Sequence, residues 1–112
     1  MSTSTRFKDS VALLREAQGG NRDALSVVLA RYRERLLGRI RMMMGTEARR
    51  SAESVDFLHG VMVEAIRDFD NFELRDERAF LRWMTGIARN RIRSSARRRR
   101  EAAFAAVSYT HL

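Results

Sequence analysis

The chain has 112 residues, a net charge of +8, and neither cysteine nor proline. That length suits a single domain, and the lack of cysteine excludes disulfides, thiolate chemistry and cysteine-based zinc sites. The two histidines, His59 and His111, are too few for a histidine-rich metal site, no apolar run approaches the roughly 20 residues of a membrane span, and the polar residues 1–6 lack the apolar core of a signal peptide. A cytoplasmic protein with no metal, no cofactor and no membrane partner is expected.

Four helices are expected, in an all-α bundle, because helix formers dominate and β-branched residues are sparse. The first covers about residues 9–18, with Val11, Leu14 and Ala17 on one stripe. Gly19 and Gly20 end it, since glycine takes the left-handed conformation cheaply. Asn21 then caps a second helix over about 22–44. Its apolar face holds Leu25, Val28, Leu29, Tyr32, Leu36, Ile40, Met43 and Met44, and Gly45 closes it. A polar link, 46–51, leads to a third helix over about 52–69. Val55, Leu58, Met62, Ala65, Ile66 and Phe69 form its expected buried stripe. Gly60 inside it costs about 1 kcal/mol relative to alanine and reads either as close helix packing or as nothing. A charged connector, 70–77, holds Phe72 and Leu74. The fourth helix runs from about 78 to about 100. Residues 101–112 differ from the rest: they are alanine-rich, then end Ser-Tyr-Thr-His-Leu.

The charge is concentrated. Lys8 is the only lysine among 22 basic residues, and +6 of the +8 lies after residue 88. Arginine excess points to a polyanion, because guanidinium forks match phosphate oxygens. At about 100° per residue, Phe80, Met84 and Ile87 share one side of the fourth helix. Arg82, Arg89, Arg93 and Arg100 lie on nearly the opposite side, with Arg78 and Arg97 at the edges. Trp83 sits at the flank, and Asn90 is a neutral polar residue within the basic surface. Such a ridge can track a phosphate backbone, asparagine can offer a donor and an acceptor to a base edge, and an aromatic rim can stack on unpaired bases. A solvated face with glutamate partners is the plainer reading, weakened because only Glu101 is acidic after Glu77. Two places suit Phe72: a staple folded back on the fourth helix, or a base-binding lip.

Several stretches, taken in order, resemble region 2 of bacterial sigma factors, most nearly the extracytoplasmic-function group. Gln18-Gly19-Gly20-Asn21 with Ala24-Leu25 is similar to the family's Gly-Asp break before its second helix. Ala30-Arg31-Tyr32 is similar to its Arg-Tyr pair. Asp56-Phe57-Leu58-His59 resembles its Asp-x-x-Gln, and Glu64-Ala65 and Phe69-Asp70-Asn71-Phe72 continue the likeness. Phe80-Leu81-Arg82-Trp83-Met84-Thr85-Gly86-Ile87-Ala88-Arg89-Asn90 resembles its F-x-x-W-L-x-x-I-A-x-N, and the basic run 97–100 its usual exit. The likeness covers about residues 8–100, expected to be one domain, with 101–112 a linker remnant or unrelated extension.

The resemblance implies a transcription-initiation factor without enzymatic activity and without catalytic residues. Its partners would be core RNA polymerase, through the β′ clamp helices, and the non-template single strand of the promoter minus-ten element, which it would help melt. An anti-sigma partner covering the same faces is a further expectation. By the likeness, Asp56 and His59 bind polymerase, whereas Phe72, Arg82, Trp83, Arg89, Asn90, Arg93 and Arg97 bind DNA. Phe72 and Asn90 would form the pocket for an unpaired base, whose unstacking costs a few kcal/mol. The sequence departs from the pattern at His59, which replaces Gln, at Ser54 and Ser94, where acids are frequent, and in a connector about two residues longer than usual. No region 4 follows within the 112 residues, so a fragment or a partner-dependent protein is expected. The alternative reading is a generic basic helical DNA- or RNA-binding protein that needs no polymerase, and a third is an arginine helix docked on an acidic protein or anionic surface.

Overall fold

The computed structural model describes residues 9–45 and 52–110. Four helices form in that span: α1 (Ser10–Gln18), α2 (Arg22–Met44), α3 (Ala52–Arg67) and α4 (Ala79–Thr110), with a 3₁₀ turn at Phe69–Asn71. The expected link at 46–51 and His111 lie outside the described residues.

Local chemistry sets the breaks. The Asp9 carboxylate accepts from the Val11 N–H at 3.0 Å and starts α1. The Asn21 side chain accepts from the Ala24 N–H at 3.2 Å and starts α2, satisfying a donor that has no partner within the helix. Gly20 (φ 105°) and Gly45 (φ 89°) take the left-handed backbone that ends α1 and α2.

The core joins all four helices. Leu14, Val28, Leu36, Ile40, Leu58, Val61, Phe80 and Met84 are almost wholly buried. Around Phe80 an aromatic cluster closes. Its ring meets Tyr32 edge-on at 5.7 Å, Phe72 at 5.4 Å and Phe69 at 6.3 Å. Such pairs contribute about 0.5–1.5 kcal/mol each beyond their buried area. The Tyr32 hydroxyl donates to the Glu77 carbonyl at 3.3 Å, tying α2 to the end of the connector.

Three expectations shift. First, α3 ends at Arg67, not near Phe69. The separate 3₁₀ turn lets both Phe69 and Phe72 face inward, their rings 5.9 Å apart. Second, the buried stripe of α3 is Ser54, Leu58, Val61 and Ala65. Ile66, expected in the core, is 44% exposed, because one residue past Ala65 turns it about 100° outward. The fully buried Ser54 explains the missing acid there: a carboxylate would be desolvated. Third, α4 does not stop near Arg100 but continues to Thr110. Arginine, glutamate and alanine at 97–103 are strong helix formers, with no glycine or proline to break the run. The side chains of 101–107 are exposed, so this last stretch leaves the bundle.

Candidate nucleic-acid and protein interfaces

Three surfaces emerge around α3 and α4. The first is the outer side of α3. Asp56 and His59 are exposed there, and so are Val63 (54%) and Ile66 (44%). Their spacing is three, four, three, which holds them within an arc of about 80° pointing away from the core stripe. That spacing is the a/d seam by which one helix meets another. Sequence reasoning found Asp56 and His59 through the motif but assigned Ile66 to the core and did not single out Val63. The three-four-three spacing was the available signal.

The second surface is the arginine ridge of α4. Arg82, Arg89, Arg93, Arg97 and Arg100 are all exposed, and Phe80, Met84 and Ile87 are buried on the other side. Arg82 pairs with Asp76 at 3.3 Å. The same carboxylate accepts from the Arg78 N–H at 2.8 Å and orders the turn into α4. The Arg82 hydrogen bond first, then the Arg78 N–H, hold the Asp76 carboxyl below the usual carboxylate range.

The third is a shallow depression lined by Asn71, Glu73, Arg75, Arg82 and Trp83, floored by Phe72. Phe72 is 5% exposed. Its ring lies 5.0 Å from Trp83, and its carbonyl accepts from Gln18 Nε2 at 3.1 Å. Of its two expected places the staple is the one formed here: packing against Phe69, Phe80 and Trp83 turns the ring inward, beneath the depression. Trp83 is partly buried and forms the wall. Glu73 accepts from Arg75 at 2.8 Å across the mouth.

Asn90 does not join this depression. It is exposed and lines a groove between α3 and α4 with Glu53, Asp56, Phe57 and Ser94. It lies two turns beyond Trp83 on the same flank, about 10 Å along the axis. Two ion pairs bridge that groove, Arg91 to Glu64 at 3.1 Å and Arg99 to Glu53. Gly60 makes the first possible. A Cβ on it would stand 2.6 Å from Arg91 Nη2, so the glycine is a seat for the guanidinium. Close packing, not chance, is thus the reading of Gly60.

A basic cleft between α2 and the start of α4 was missed. It holds Arg31, Arg35 and Arg39, facing Arg78 and Arg82. The i, i+4, i+8 spacing on α2 could have disclosed it. Among the described residues, no group of three or more metal-ligating side chains converges, and no helix is long and apolar enough to cross a membrane.

The family model for sigma-70 region 2 matches residues 28–102, about two thirds of the chain. No curated protein and no solved structure matches it. The match spans most of α2, the whole of α3, the connector and α4 as far as residue 102, which are the elements that build all three surfaces. On that match the chain belongs to the sigma-70 region 2 family of transcription-initiation proteins.

Proposed function

We propose that this domain acts in the cytoplasm as a sigma factor of the extracytoplasmic-function type. It docks the outer face of α3 on the β′ clamp helices of RNA polymerase and holds the unpaired non-template strand of the minus-ten element. Residues 8–100 form the working unit and 101–112 an extension. The observation that carries this reading is the exposed seam Asp56, His59, Val63 and Ile66. Its heptad-like spacing fits a helical partner such as the clamp's paired helices. Two exposed apolar side chains beside two polar ones are also the composition of a contact surface. His59 in place of Gln retains one donor and one acceptor when neutral.

The nucleic-acid side uses the depression at Trp83. A base leaving the stack finds the Trp83 wall, with Asn71 and Arg75 at its rim, over a floor set by Phe72. Base–aromatic stacking is worth about 1–3 kcal/mol, comparable to the unstacking cost. Asn90 lies too far along α4 for the same base, so its edge contact falls to another nucleotide. Arg89, Arg93 and Arg97 then meet phosphates. An anti-sigma protein would inhibit by covering the seam and the ridge.

Pull-down on an isolated β′ clamp fragment tests the docking half. Binding is expected, and Asp56→Ala with His59→Ala should weaken it at least tenfold. Unchanged binding by that variant refutes the assignment of α3. Preference for duplex over single-stranded minus-ten DNA would instead favour a generic duplex binder.

A further inference from the structure

The arginine cleft between α2 and α4 adjoins the Trp83 depression, with which it shares Arg82, and its α2 side belongs to neither surface just assigned. We infer that it is a separate binding site for linked phosphates, with Asp76 as a built-in competitor. This inference does not rest on the polymerase reading.

Arg31, Arg35 and Arg39 recur every turn along α2, and Arg78 and Arg82 face them from α4. Two acidic residues, Asp9 and Glu77, share the lining, so positive charge prevails. The Asp9 carboxylate is committed to the α1 cap. Two of the α2 arginines are held in place. Arg39 Nη1 donates to Thr85 Oγ1 at 3.1 Å, and that hydroxyl donates to the Leu81 carbonyl at 2.6 Å. The Arg35 guanidinium lies 5.7 Å above the Tyr32 ring, and that ring packs on Phe80. A comb anchored this way loses less side-chain freedom on binding than free surface arginines would.

Arg31, Arg35 and Arg39 follow one another at about 6 Å along the α2 axis, one per four residues. Neighbouring phosphates in a nucleic-acid strand are separated by a similar length, and those of a free polyphosphate by less. The open cleft, about 1110 Å³, has room for several phosphate groups. Arg82 belongs to both this cleft and the Trp83 depression. In the unbound protein Arg82 is held by Asp76, on Oδ2 at 3.3 Å. A phosphate entering the cleft must take Arg82 from that carboxylate. The Asp76 carboxylate therefore competes with an incoming phosphate for Arg82 and sets the threshold for binding.

Calorimetry of the full chain with inorganic tripolyphosphate tests the site. Arg31→Gln with Arg35→Gln leaves the Arg39–Thr85 anchor intact and should weaken binding at least tenfold. Arg89→Gln with Arg93→Gln should change it less than twofold. Asp76→Asn keeps an acceptor for the Arg78 N–H and should tighten binding roughly two- to fivefold, the range of an exposed ion pair. If the ridge variant loses as much as the cleft variant, or if Asp76→Asn does not tighten binding, the inference is overturned. A parallel titration with single-stranded DNA identifies the source of the phosphates. A strand bound in the cleft makes the salt slope fall by about 1.4 in the cleft variant, about 0.7 per lost phosphate contact. An unchanged slope, with tripolyphosphate binding lost, assigns the site to a free polyphosphate. Clamp binding by the cleft variant should stay at the wild-type level, which separates this test from that of the α3 seam.

Discussion

Phe72 separates a shaping role from a contacting one. Its ring is 5% exposed and meets three other rings, with centroids 5.9 Å (Phe69), 5.4 Å (Phe80) and 5.0 Å (Trp83) away. Truncation to alanine removes the floor of the depression and opens a cavity beneath the connector. Buried Phe→Ala changes cost about 3–5 kcal/mol. With three aromatic partners lost, we expect the middle of that range, about 4 kcal/mol. A domain of this size has on the order of 5–15 kcal/mol in all, so Phe72→Ala should be largely destabilised. Phe72→Leu keeps most of the volume and should cost up to about 1.5 kcal/mol. Urea unfolding, followed by emission of the single tryptophan, Trp83, reads both. Strand binding by Phe72→Leu, measured well below its unfolding midpoint, should stay within threefold of wild type. A Phe72→Ala protein within 1 kcal/mol of wild type that had lost tenfold in strand affinity would show the ring at the lip, and the packing argument would fail.

Two further expectations concern single contacts. Gly60→Ala gains about 1 kcal/mol of helix propensity, offset by expelling Arg91 from its seat and weakening an exposed ion pair worth at most about 1 kcal/mol. Stability should therefore change little, whereas in an Arg91→Ala background the same substitution should stabilise by about 1 kcal/mol; equal effects in both backgrounds would contradict the contact. The Asp76 carboxyl, held below the usual range chiefly by the Arg82 hydrogen bond, contributes stability that is present above the ordinary aspartate pKa and lost as pH falls through its depressed folded value. Carboxyl NMR titration should place its midpoint below that of an unpaired aspartate, and Arg82→Gln should raise it; a midpoint insensitive to Arg82→Gln refutes the pairing.

What could be read before folding was periodic. The bounds of α2 matched at both ends, because Asn21 and Gly45 mark them chemically. The opposition of Phe80, Met84 and Ile87 to the arginine ridge followed from helical phase alone. Two kinds of information were not periodic. An apolar residue such as Ile66 carries no label for the side it faces, and only the packing of Leu58, Val61 and Ala65 settles that phase. Net charge ignores position, so the α2 arginines disappear into the +2 of residues 1–88. Folding gathers Arg31, Arg35 and Arg39 opposite Arg78 and Arg82, although 38 residues lie between Arg39 and Arg78. The run 101–107 shows the reverse case. Its composition changes abruptly, yet helix propensity carries α4 straight through.

The demands on α3 explain why its least helix-favouring residue is where it is. Its 16 residues make between four and five turns. On each turn one residue serves the core, through Ser54, Leu58, Val61 and Ala65. A second faces outward, through Asp56, His59, Val63 and Ile66. A third faces α4, through Glu53, Phe57, Gly60 and Glu64. In that third row both end residues are acids that bind arginines of α4. Between them the guanidinium of Arg91 crosses the helix face to reach Glu64, and any side chain at 60 would stand in its way. The glycine thus gives Arg91 its path to Glu64, while the seam beside it stays exposed. Because the two rows are adjacent on one helix, the angle between the exposed α3 seam and the arginine ridge of α4 is set by the Arg91–Glu64 and Arg99–Glu53 pairs.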